Sequence, residues 1–247
     1  AYGRKKQKLA VVDMESHVRH IYGSQKEGAD FTYKGGYGYH PLLLTMSGTQ
    51  EVLRAQNRPG NVVSAHGALE RMREVSPMLE RRYSGVLWRG DSAFRCCEIF
   101  EFCEERGHSF AFVSPNESNF DAIADSVSEK AWCLFRAKDR AQTRQRKRGK
   151  NLRRRKARQR GKRDLKLERQ WLAEVNYQPA RSASSYRLII RRQRIEESVQ
   201  GELFELWRYR YVLSNLPKSY SAEEVVRLTY RRCDQENIIE QLQNGIA

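Results

Sequence analysis

Ser84-Gly-Val-Leu-Trp-Arg-Gly-Asp-Ser-Ala-Phe94 decides how this chain folds. Residues 84–88 read as a buried strand, and Arg89-Gly-Asp91 then leads into a helix over 94–106 that closes at Gly107. A strand that ends on an acid and passes into a helix is the unit of an open α/β sheet, where sites form outside the carboxyl ends of strands. Asp91 is therefore a candidate functional carboxylate. It is equally an ordinary helix N-cap, a role worth about 1 kcal/mol.

The flanking sequence repeats the pattern. Leu9-Ala-Val-Val12 is a short apolar run ending at Asp13, the second candidate acid, with Glu15 on the same face of an extended chain as its rival. Residues 37–46 and 49–55 read as two strands around a Ser47-Gly48 turn, with Pro41 near a strand end or edge. Asn57-Arg-Pro-Gly-Asn61 is a loop by composition, and a helix is predicted over 62–80 through Val63, Leu69, Met72 and Leu79. Residues 109–113 form a further strand, and Pro115 closes the compact region. The order is strand, strand, strand, helix, strand, helix, strand. Neighbouring strands lie ~4.8 Å apart, so two strand-end acids can reach one cation pair.

A second decisive stretch is Thr229-Tyr-Arg-Arg-Cys-Asp-Gln-Glu-Asn-Ile-Ile-Glu-Gln-Leu-Gln-Asn-Gly245, which reads as one helix with Gly245 at the C-terminal cap. Leu228, Ile238, Ile239 and Leu242 face a core, while Arg232, Glu236 and Gln243 share another stripe. Taken alone, Arg232 and Glu236 are an exposed ion pair of about 0.3–0.5 kcal/mol. Beside the strand-end acids, Glu236 becomes a candidate third carboxylate.

Residues 116–220 differ in character. A helix over 116–130 and a strand over 131–136 precede a basic block, and strands over 173–177, 186–192 and 203–213 follow it, rich in aromatic and β-branched residues. We expect an inserted β-rich subdomain. Residues 1–115 would then open the core, residues 116–220 would form the insertion and carry the block 138–170, and a catalytic helix over 221–247 would complete the core. Trp132, Trp171 and Trp207 suit core packing of that insertion better than stacking on bases.

Net charge is +16 over 247 residues, and residues 138–170 hold seventeen Lys or Arg against three Asp or Glu. One dense cationic block favours a polyanion such as nucleic acid, and no apolar face accompanies it to suit a membrane. The five cysteines show no paired spacing, which fits a reduced, cytoplasmic protein. His17 and His20 have no matching pair and receive no role. No stretch reads as a signal peptide or a membrane span, and a chain beginning without Met reads as a fragment of something longer.

Asp13 after its apolar strand, Gly35-Gly-Tyr-Gly-Tyr-His-Pro-Leu42, Arg54-Ala-Gln-Asn-Arg-Pro-Gly-Asn61, Arg89-Gly-Asp-Ser-Ala-Phe94, Arg208-Tyr-Arg-Tyr-Val-Leu-Ser-Asn-Leu216 and the Glu236 helix together resemble bacterial DDE transposases of the 1380-type insertion sequences. The resemblance covers most of the chain and rests on the order of the motifs. It implies an RNase H-like catalytic core, a mixed five-stranded sheet flanked by helices, with a β-rich insertion. It also implies that Asp13, Asp91 and Glu236 are the catalytic and metal-binding carboxylates, holding two Mg²⁺ ions for which Mn²⁺ can substitute. The family's Y-x-x-R-x-x-x-E-x-x-x-x-x-x-K signature places Arg232 and Glu236 on its arginine and glutamate. Thr229 stands at the tyrosine position with Tyr230 beside it, and Gln243 stands at the lysine position.

The implied activity is cleavage at transposon ends and strand transfer into target DNA by a homodimer or higher oligomer, near the bacterial nucleoid. DNA contacts are expected from Arg232, Tyr230 and Gln243, and from Arg146, Lys147, Arg148, Arg153, Arg154, Arg155 and Lys156 in the block. Two other expectations stay open: a DNA-binding remnant without activity, and an RNase H-like nuclease that hydrolyses without joining.

Overall fold

The computed structural model describes residues 9–23, 25–115, 117–135, 166–199 and 202–231. Twelve strands and four α-helices lie among them: β1 (Ala10–Ser16), β2 (Arg19–His20), β3 (Asp30–Phe31), β4 (Tyr37–Tyr39), β5 (Leu42–Met46), β6 (Val52–Gln56), α1 (Ala68–Arg82), β7 (Val86–Gly90), α2 (Cys97–Glu105), β8 (Ser109–Ser114), α3 (Ser118–Ser126), β9 (Cys133–Phe135), β10 (Lys166–Tyr177), β11 (Tyr186–Val199), β12 (Glu202–Ser214) and α4 (Ala222–Tyr230). The fold is α/β with a large mixed sheet.

The sheet runs β6-β5-β1-β7-β8-β12-β11-β10-β9, and β2, β4 and β3 form a small separate sheet in the order β2-β4-β3. β6, β5 and β1 are antiparallel neighbours, whereas β1, β7 and β8 are parallel. Each of the five predicted stretches contributes a strand to this sheet, but the sheet does not stop at them. Tyr211–Ser214 of β12 pair antiparallel with the end of β8, so the edge that would have closed a five-stranded sheet is occupied.

The chain divides into two compact units. One holds the described residues of Ala1–Pro115, Val175–Ile189 and Tyr211–Ala247, the other those of Asn116–Glu174 and Ile190–Arg210. In the first, β5 and β7 are buried along their whole length and β1 over Val12–Met14, as strands covered on both faces must be. Phe110 and Phe112, two apart on β8, share a face on which Phe100 of α2 stacks at 4.5 Å from the Phe110 ring, with Tyr186 edge-on at 5.1 Å. α4 starts at a capping box, in which Ser221 Oγ accepts from the Glu224 amide and Glu224 returns a carboxylate to the Ser221 amide.

Three predicted elements are corrected. The single strand over 37–46 is two strands in different sheets, because Pro41 has no N–H to continue a ladder and the His40 amide turns to the Arg58 carbonyl. The helix predicted from residue 62 starts at Ala68 and leaves Val63 exposed. The carbonyls of Val62, Ser64 and His66, which the missing turns would need, are bonded instead by His40 and Arg58. The helix predicted over 94–106 is a 3₁₀ turn, Ser92–Phe94, followed by α2. Among the described residues no helix is long and apolar enough to cross a membrane.

Buried histidines give the first unit a pH dependence. Trp88 Nε1–H donates to His108 Nδ1 at 3.1 Å, which leaves the ring proton on Nε2, 2.9 Å from the Glu80 carboxylate. Burial nevertheless holds His108 below the usual histidine range, and burial likewise lowers His17 and His40. Below about pH 6.5 the unfolded chain therefore binds more protons than the folded one, and stability falls as pH drops toward the lowered folded values. Thermal melts should show a lower Tm near pH 5 than near pH 7; a flat profile would contradict neutral, buried imidazoles.

Candidate active site

β1 and β7 run parallel with Asp13 opposite Arg89. Asp13 thus lies in the middle of β1 and not at its end, where the apolar run of four residues suggests that the strand stops. Asp13 and Arg89 are 3% and 1% exposed. Arg89 Nε donates to Asp13 Oδ1 and Nη2 to Oδ2, both at 2.6 Å; Nη2 also reaches Ser47 Oγ at 2.7 Å and Nη1 the Leu228 carbonyl at 2.5 Å. One guanidinium ties β1, the β5–β6 turn and the last turn of α4. Such a bidentate contact satisfies two buried charges that would each be costly alone. The Leu228 carbonyl also accepts from the Arg231 amide at 3.3 Å, and a cation at this helix end suits the helix dipole.

Asp91 follows directly after β7, on extended backbone. Its Oδ1 accepts from the Ala93 amide at 2.9 Å, so the N-cap role is real, and its other oxygen accepts no hydrogen bond from the described residues. Gly90 makes the turn possible: a Cβ there would lie 2.9 Å from Phe94 and 3.1 Å from Phe112. The β1–β7 pairing ends at Asp13–Arg89; Glu15 follows two residues later on the Asp13 face of β1, and Asp91 follows Arg89 by two residues just past the end of β7. Glu15 and Asp91 are half-buried. Carboxylates near the C-terminal ends of adjacent parallel strands are of the type that a hard divalent cation takes. No group of three or more such ligands occurs among the described residues.

A family model for the transposase DDE domain, group 1, matches residues 1–247, the whole chain. The chain belongs to that family. No curated protein matches it.

In this DDE domain the predicted helix over 229–245 lies outside the described residues beyond Arg231. α4 ends at Tyr230, with Arg231 as its C-cap, and carries Thr229 and Tyr230 in its last turn. Thr229, at the tyrosine position of the signature, is buried and donates its hydroxyl to the Val225 carbonyl at 2.8 Å, so it is turned inward. Tyr230 beside it is half-buried. Arg232, Glu236 and Gln243, and with them Arg146, Lys147, Arg148, Arg153, Arg154, Arg155 and Lys156, lie outside the described residues.

Two features escape a reading of the sequence. Arg89 reads there only as the lead-in to Asp91, although a charged residue inside the buried run Val86–Gly90 is a usable signal. In the second unit, Trp132, Trp171 and Trp207 surround a buried arginine. The Arg192 guanidinium lies 4.1 Å from the Trp132 ring centroid, 4.6 Å from Trp207 and 5.7 Å from Trp171, and pairs with both Glu129 oxygens at 2.7 and 2.6 Å. Arg192 holds the Glu129 carboxyl below the usual range. These indoles are occupied by a side chain of their own unit.

Proposed function

We propose that this DDE domain cleaves DNA at transposon ends and transfers the freed strands to target DNA, using carboxylates of an RNase H-like core. The reading is carried by the position of Glu15 and Asp91, each two residues beyond Asp13–Arg89, the last pair of the parallel strands β1 and β7. The order β6-β5-β1-β7-β8, antiparallel and then parallel, supports the same core. We assign cation binding to Asp91, Glu15 and Glu236. Asp13, with both oxygens on Arg89, is the anchor that holds this end of the sheet.

Divalent cations such as Mg²⁺ or Mn²⁺ bound there would supply the Lewis acidity for activating the attacking oxygen and steadying the departing 3′ oxygen. The chain's own residues hold and orient. Asp91 is fixed by its cap on the 3₁₀ turn and Glu15 by its strand, and to Arg232, which lies outside the described residues, we assign a bidentate grip on a phosphate that lysine would make less directionally. The basic block 138–170, including its seven named cations, binds duplex backbone without sequence preference. Joining two transposon ends calls for at least two copies of the chain.

Labelled element-end duplex incubated with the protein should give nicked and joined products with Mg²⁺ and none with EDTA, and Glu236→Ala should remove both. Nicks without joining would mean a hydrolytic nuclease. Binding without products under any divalent ion would overturn the enzyme reading and leave a DNA-binding remnant, which the inward-turned Thr229 favours.

A further inference from the structure

The small sheet carries an exposed aromatic face that the site above does not use. In its register Arg19 pairs with Tyr39, His20 and Asp30 pair with Gly38, and Phe31 pairs with Tyr37. Directly opposed residues share a face, so Arg19, Tyr39, Tyr37 and Phe31 stand on one side, with His20, Gly38 and Asp30 on the other. The second side is closed by the loop after β6. A Cβ on Gly60 would lie 2.5 Å from the Asp30 carbonyl oxygen and 2.6 Å from that of Gly38, and Pro59 bridges to Tyr39. Asn61 adds a 2.6 Å hydrogen bond to Asp30. Arg58 fixes this loop from below, donating to the carbonyls of His40, Ser64 and His66 and to Ser16 Oγ at the end of β1.

On the first side Tyr39 is half-buried and donates its hydroxyl to the Glu27 carbonyl at 2.8 Å, and the face is open at Phe31 and Tyr37. Phe31 is 57% exposed and Tyr37 42%, with their rings edge-to-face at 5.8 Å, and Tyr33 and Tyr22 beyond the strands are 70% and 98% exposed. Large rings held on a rigid backing and left in solvent are unusual for a folded unit and mark a binding surface. The charges around them select the partner. Arg19 is exposed on the same face, and Lys34 sits 5.6 Å over the Tyr33 ring. Asp30, on the closed side, has one oxygen on the Phe31 amide and the other on Asn61. Exposed rings interleaved with cations fit flat bases on a polyanionic backbone.

We propose that the Arg19–Tyr37–Phe31 face of the small sheet stacks unpaired bases of the DNA strand. Only His17 and Val18 separate β1 from β2, so the platform begins where the strand bearing Glu15 ends. This placement rests on the DNA-handling reading, and deepens it: a strand led to the carboxylates would be held with its terminal bases unpaired on the aromatic face.

The test is anisotropy titration of the full chain, without divalent ion, against labelled oligo(dT) and a duplex of equal length. Phe31→Ala with Tyr37→Ala should weaken oligo(dT) binding by about tenfold or more, since each base–ring stack contributes that order of affinity. The salt slope should stay unchanged because no phosphate contact is lost. Duplex binding should move little, and Phe31→Trp should retain oligo(dT) affinity. Unchanged oligo(dT) affinity in the double variant, an equal loss on duplex, or a Phe31→Trp variant as weak as the alanine one would overturn the proposal. Metal-dependent cleavage is not read in this assay, so absence of cleavage leaves its outcome intact.

Discussion

Replacing Arg89 with methionine is expected to destabilise the first unit by about 3–5 kcal/mol, the cost of stranding a buried charge. The substitution leaves Asp13 at 3% exposure without its cation and takes a donor from Ser47 and from the Leu228 carbonyl. Asp13→Asn should destabilise for the mirror reason. Asp13→Leu combined with Arg89→Met should recover much of the loss, because removing both charges also removes their desolvation. Hydrogen exchange read by mass spectrometry gives the measurement, with β1, β7 and α4 losing protection by about two to four orders of magnitude in each single variant. If the double variant were no better than the singles, the pair would not be the unit of stabilisation described. Loss confined to β1 and β7, with α4 unchanged, would show that the Leu228 contact does not hold the helix.

That clamp marks the limit of what the sequence discloses. The strand–acid–turn at β7 and Asp91 is legible because its signals are local: an apolar run, then a capping residue, then an apolar helix face. The partners of Arg89 lie 76, 42 and 139 residues away, and nothing in a run of neighbours encodes them. The end of β1 is misplaced for a related reason. An apolar run of four looks complete at Asp13, yet antiparallel pairing with β5 carries the strand on to Ser16. Strands of two or three residues, as in the small sheet, are too short to show alternation at all, so Tyr37 reads as joined to a longer strand across Pro41. The family likeness, by contrast, comes from ordered motifs and survives these local errors, since it does not depend on where each strand stops.

The strand register bears most directly on chemistry through the choice between Asp13 and Glu15. Glu15→Gln and Asp91→Asn should each lower Mg²⁺-dependent cleavage by more than the 10–100-fold typical of groups one shell removed from a metal, while leaving thermal stability near wild type. Asp13→Asn should show the opposite balance. It unfolds more readily, and at temperatures where it remains folded it keeps measurable cleavage, because its effect reaches the site only through Arg89 and β1. Calorimetric titration with Mn²⁺ supplies a readout independent of turnover: the Glu15 and Asp91 variants lose binding heat, and folded Asp13→Asn retains it. A stable Glu15→Gln protein with full cleavage, alongside an inactive Asp13→Asn protein of wild-type stability, would return the metal to Asp13. That result would also require Arg89 to leave its carboxylate partner when the cation binds, freeing the Leu228 carbonyl and loosening α4 from the strands. In that case metal binding and the seating of α4 would be one coupled event, and added Mn²⁺ would change amide exchange in α4 of the wild-type protein. With Glu15 as the ligand, α4 exchanges at the same rate with and without the ion.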